Sequence, residues 1–225
     1  MSVRIRVPEL RRGIARWPRG RKVEWYLNER FSAWLIDAVA AAMREKRYGA
    51  ALHLMLLGIE VLSGFLDGSE PDIRTFCAFI GKYMSPALSA RVRNPLHGLG
   101  IAPPPLDAKP RLSVAEILWA SPRAGFRAAC AAFPGASIAE RSHYYVRCYA
   151  RVGLRIDICK FHDDFLSGFR RYYAEVYSDY LVRQRFLARF DRIFGRGTPG
   201  GKGRRRAGGG TTRAPGKRGA AARPQ

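Results

Sequence analysis

Acid is scarce in this chain relative to base. Eighteen Asp and Glu stand against forty Lys and Arg, a formal net charge of +22 over 225 residues. Such an excess selects polyanions as partners, either nucleic acid or an anionic membrane surface, without saying which. Cysteine is sparse too. Cys77, Cys130, Cys148 and Cys159 are scattered with no C-x-x-C pair, which fits neither a zinc site nor a secreted disulfide scaffold. They read as free thiols in a reducing, cytoplasmic setting. The basic N-terminus lacks the apolar run of a signal peptide. The longest apolar stretch, Gly49 to Leu66, is interrupted by His53 and Glu60. It reads as a core helix and not a transmembrane segment, because an ionised Glu at mid-bilayer is costly. Histidine and carboxylates nowhere gather into a ligand set: His162 stands beside Asp163 and Asp164, but adjacent helix positions point different ways. We expect an N-cap cluster there, no metal site and no cofactor.

What is present is enough apolar matter for a core. The chain is 47% hydrophobic and 12% aromatic, the composition of a folded body. Its charge is uneven. Beyond Phe194 there are nine Lys/Arg and no acid, which leaves 31 basic against 18 acidic residues in the remainder. Three regions follow: a basic flexible arm over 1–22, a single domain over 23–194, and a Gly/Arg-rich tail over 195–225 expected to be disordered. The tail's Arg204, Arg205 and Arg206 are candidate nucleic-acid contacts of a salt-sensitive, sequence-indifferent kind.

Within the domain the periodicity is helical. Leu27, Phe31, Trp34, Leu35, Ala38, Val39 and Ala42 follow i, i+3, i+4 spacing over 23–47. A largely enclosed helix is expected from Tyr48 to Leu66 and ends at Asp67-Gly68-Ser69-Glu70-Pro71. Asp72 caps a third helix over Ile73 to Tyr83. Short turns between helices predict antiparallel neighbours in a bundle of four to six helices. A last helical region runs from Lys160 to Phe194, broken at Ser178 or Asp179.

Ser85-Pro86 opens a segment bearing Leu88, Val92 and Leu96, read as a fourth helix. It carries Arg91-Val92-Arg93-Asn94-Pro95-Leu96-His97. On a helix Arg93 and His97 share a face at i, i+4. An imidazole there can move a proton near neutral pH, and a guanidinium can hold a phosphate oxygen while charge builds on it. Pro95 removes one helical hydrogen bond, so the helix kinks or stops before His97.

Arg47-Tyr48-x-x-Ala51 followed by Ile59-Glu60, then Phe76-x-x-Phe79-Ile80-x-x-Tyr83, then Arg93-Asn94-x-Leu96-His97, resemble the HEPN family of small helical bundles. The resemblance spans about 24–97 and 144–194. It implies a metal-independent ribonuclease in which His97 is the acid or base, Arg91 or Arg93 steadies the phosphate, and Asn94 orients the motif. Arg91 has five residues between it and His97, whereas Arg93 has the polar neighbour Asn94, so either can be the arginine. It also implies a homodimer and a protein partner such as an antitoxin. Many members have no cutting activity, and the leading expectation is a noncatalytic protein of this fold that binds RNA or a protein partner through basic surfaces.

Residues 98–141 read as an insertion, with Trp119 and Phe126 seating short helices on the bundle. Tyr145 to Ile158 then alternates without a miss. That period of two predicts a strand, or two strands turning at Gly153. Tyr145, Arg147, Tyr149, Arg151 and Arg155 share its polar face and are candidates for stacking and charge contacts with single-stranded RNA.

Overall fold

A computed structural model describes residues 13–14, 16–94, 106, 108–127, 136–139, 146–149 and 153–195. The chain is mainly helical, with six helices forming the body and short β-strands at its margin.

The first helix, α1, runs in three continuous segments. It is α-helical over Arg19–Glu24, π-helical over Trp25–Ile36 and α-helical again over Asp37–Arg44. Its buried stripe explains the change of winding. Val23, Leu27, Phe31, Leu35 and Val39 recur every four residues, each no more than 2% exposed. In an α-helix of 3.6 residues per turn a strict four-residue stripe rotates away from the core by about 40° per repeat. The wider π turn in the middle rotates it back, just as other repeats set the winding of coiled helices. Ser32 Oγ donates to the carbonyl of Leu27 at 2.8 Å inside this segment.

Helix α2 (Tyr48–Asp67) is the centre of the bundle and touches every other helix. This is why it is apolar nearly all round. It is long and apolar enough to cross a membrane by length and composition, yet eleven of its residues are buried inside the protein. Gly68, at φ 75°, ends it in the left-handed region. Helix α3 (Ile73–Tyr83) starts on a reciprocal cap: Thr75 N donates to Asp72 Oδ1 at 2.7 Å, and Asp72 N donates to Thr75 Oγ1 at 2.9 Å.

A 3-10 turn over Pro86–Ser89 follows, and then strand β1 (Arg91–Arg93), where a fourth helix is expected from the sequence. β1 pairs antiparallel with β2 (Arg111–Ser113), which leads directly into α4 (Val114–Arg127). Beyond it β3 (Ala136–Ala139), β4 (Val146–Tyr149) and β5 (Gly153–Asp157) form a second sheet in the order β3-β5-β4. β4 and β5 are the expected hairpin. β3 lies parallel to β5 and was not expected. Asp157, placed by alternation on the polar strand face, is 1% exposed instead, because it caps α5 (Ile158–Ser178) by accepting from Lys160 N at 3.0 Å. The cap of α5 is therefore Asp157, and the His162-Asp163-Asp164 cluster lies one turn inside the helix. Asp164 there accepts from Ser85 N at 2.7 Å and holds the 3-10 turn on the bundle. Asp179 separates α5 from α6 (Tyr180–Phe194) and caps the latter, accepting from Leu181 N and Val182 N.

Aromatic contacts lock the helices together. Phe65 stacks on Phe186 with centroids 4.7 Å apart, Phe31 on Phe169 at 5.1 Å, Tyr172 meets Phe79 at 5.7 Å, and Trp119 meets Phe76 at 5.2 Å. The basic segment read as an arm over 1–22 joins the fold at its end. Lys22, 7% exposed, pairs with Asp191 at 2.6 Å, and Trp17 meets Trp25 edge-on.

Gly58 marks the tightest crossing. A Cβ there would overlap Leu35 Cδ2 and come within 2.9 Å of Phe165 Cζ. Leu35 and Phe165 are both fully buried, so neither has room to yield. Gly58→Ala gains about 1 kcal/mol of helix propensity. Overpacking outweighs it, and we expect a net loss of about 1–2 kcal/mol in urea unfolding.

Candidate nucleic-acid interface

The β1–β2 ribbon gathers cationic side chains because strand residues two apart share a face. Arg91 and Arg93 are both exposed while Val92 between them turns toward the core. The register sets Arg93 opposite Arg111, which is also exposed, and Arg91 opposite Ser113. Residues directly opposite point to the same side. One small surface thus presents three arginines. Leu112, opposite Val92, is fully buried and anchors the ribbon from beneath.

Two devices hold the ribbon in place. Asn94 is buried, 4% exposed, and its Nδ2 donates to the carbonyls of Leu106 at 2.7 Å and Lys109 at 2.8 Å. Asn94 N also donates to the Pro110 carbonyl at 3.0 Å. The amide thereby clasps the chain on either side of residues 95–105. At the other end Ser113 and Glu116 form a capping box on α4: Ser113 N donates to Glu116 Oε2 at 2.8 Å, and Glu116 N donates to Ser113 Oγ at 3.1 Å. Burial works to raise the Glu116 carboxyl. Hydrogen bonds from Ser113 and from Lys109 outweigh it and hold the group below the usual carboxylate range.

This geometry corrects the helical reading of the Arg/His stretch. Arg91 and Arg93 lie on a strand, so an i, i+4 face shared by Arg93 and His97 does not exist. The residue before a proline is pushed toward extended backbone, and β1 has a partner strand that a helix would forgo. His97 lies outside the described residues, as do Tyr145, Arg151, Arg204, Arg205 and Arg206.

The second sheet repeats the pattern. Its register sets Arg147 opposite Arg155 and Tyr149 opposite Gly153. Arg155 is exposed. Both antiparallel ladders therefore set arginine opposite arginine in register.

Elsewhere the titratable groups have structural duties. His53 Nδ1 lies 3.0 Å from the Gly49 carbonyl, one turn back on α2. Glu70 accepts two hydrogen bonds from buried Arg189, which hold its carboxyl below the ordinary range. Among the described residues no three His, Cys, Asp or Glu side chains come together as metal ligands. The capping box and the Asn94 clasp were missed from sequence. The first had a signal, Ser113-x-x-Glu116 before an apolar run; the second depends on carbonyls distant in the chain. Compared with protein-family models, with curated proteins and with solved structures, the chain matches none.

Proposed function

We propose that this chain is a noncatalytic helical-bundle protein that binds single-stranded RNA through arginines displayed on its β-ribbons. The observation that carries the reading is the exposed face of Arg91, Arg93 and Arg111 on one two-stranded ribbon. Alternate residues on a strand lie about 6.5–7 Å apart, comparable to the step between phosphates of an extended single strand. Guanidinium groups suit phosphate oxygens in both charge and shape. The exposed Arg155 on β5 adds a further cation, and the overall charge of +22 supports attraction to any polyanion.

The noncatalytic half of the proposal is supported by the duties of the motif residues. Asn94 spends its amide protons on backbone carbonyls, and Arg91 and Arg93 stand on a strand, not on a helix that would set Arg93 one turn from His97. The mainly helical fold is compatible with the HEPN resemblance, which carries no further weight here. Anisotropy of a labelled single-stranded RNA against salt tests the binding. A steep, linear fall of log K with log salt supports a phosphate-reading surface, and a flat response contradicts it.

A further inference from the structure

Beside the ribbon lies a cavity of about 530 Å³ between α3, the 3-10 turn and the start of α4. Its floor is apolar, made by Ile73, Cys77, Leu106 and Trp119, while Arg74, Arg91 and Lys109 stand around it with Glu116. The volume falls in the range of small-molecule sites, and so does the combination of an apolar body with a few polar groups. We propose that this cavity binds a small organic carboxylate with a flat apolar body. The site goes beyond the RNA reading and does not depend on it.

The charge pattern selects the ligand. Glu116 is already satisfied by Ser113 and by Lys109, whose Nζ lies 3.3 Å from it. Those two cancel. Arg74 reaches only distant carboxylates, Asp67 at 3.7 Å and Asp72 at 3.9 Å, with its side chain 74% exposed. Arg91 has no carboxylate partner among the described residues and is exposed at the rim. The Arg91 guanidinium is thus left over an apolar floor, with the loosely paired Arg74 beside it. A neutral apolar ligand would fill the floor and leave them unmatched, and an inorganic ion would meet the charges and leave the floor wet. A planar carboxylate can take two parallel hydrogen bonds from Arg91 while its body lies against Trp119.

The reactivity of Cys77 does not compete with this reading. Burial, and secondarily the charge of Glu116, push its thiol up to about 11. It stays protonated at neutral pH and serves as a neutral wall, not a nucleophile.

Calorimetric titration of the full chain with 1-naphthoate tests the proposal, with acetate and 1-naphthalenemethanol as probes of the charge alone and the body alone. We expect 1-naphthoate to bind with a Kd on the order of 10–100 μM, and each of the other two about tenfold more weakly or not at all. Arg91→Ala should weaken 1-naphthoate about tenfold. Ser89→Glu, which places an acid at the exposed rim, should weaken it as well, while Arg44→Ala on distant α1 should leave it unchanged. Circular dichroism confirms that each variant is folded. Absence of 1-naphthoate binding at millimolar concentration overturns the proposal. So does equal affinity for the uncharged analogue, or indifference to Arg91→Ala. None of the probes is a nucleic acid, so loss of RNA binding and loss of this site are read separately.

Discussion

Replacing Arg93 and Arg111 together by alanine should weaken single-stranded RNA binding by about tenfold to a hundredfold at low salt. The two residues lie opposite each other and are exposed, so both can reach one phosphate or two neighbouring ones. Each lost phosphate contact on a single strand should also lower the salt slope by about 0.7. A general loss of charge would weaken binding without regard to position. The same charge reduction made on α1, by Arg30→Ala with Arg44→Ala, should therefore cost much less. For Arg111→Ala alone, stability should stay level or rise by a few tenths of a kcal/mol (about 0.2–0.5), because like charges across a ladder repel. Weaker binding with unchanged or better stability is the signature of a residue kept for function.

Asn94→Ala should have the opposite profile. It removes two hydrogen bonds to the carbonyls of Leu106 and Lys109 in a buried position, leaving the Lys109 carbonyl without this donor and the Leu106 carbonyl with only the 3.3 Å bond from Lys109 N. We expect a loss of about 2–4 kcal/mol in urea unfolding. Asn94→Asp should be worse still, because a carboxylate cannot donate and would face two carbonyl oxygens. Were Asn94 an exposed member of a catalytic motif, both changes would be close to neutral for stability. RNA affinity should fall in these variants only as far as the ribbon loosens.

Much of the helical body was legible in the sequence because its signals are local. The limits of α3 at Ile73 and Tyr83, its cap at Asp72, the end of α2 at Gly68 and the break at Asp179 all rest on a few adjacent residues. The alternation over 145–158 gave the β4–β5 hairpin for the same reason. The segment at 91–93 was misread because Leu88, Val92 and Leu96 have helical spacing, and only pairing with Arg111–Ser113, 18 to 22 positions away, makes it a strand. Pro95 was a hint against a helix, and it was the stronger one. The β1–β2 partner sat in the segment taken as an insertion, so the arginine face could not be assembled from local pattern. The π-helical winding of α1 was latent in its four-residue stripe, but a conventional helix was the simpler reading of the same residues.

These elements fit one account of the molecule. An enclosed α2 and an aromatic lattice make a rigid body. Against it the Asn94 clasp and the Ser113–Glu116 cap fix a short ribbon, which holds its arginines at strand spacing. Rigid display lowers the ordering cost when a flexible strand binds.

The most direct test incubates purified protein with a labelled single-stranded RNA in EDTA and follows both binding and the length of the RNA, with His97→Ala in parallel. The account predicts that wild type and His97→Ala bind equally and that the RNA stays intact with both. Cutting by wild type in EDTA that disappears in His97→Ala would contradict it, and would make this chain a metal-independent nuclease with its acid or base at His97.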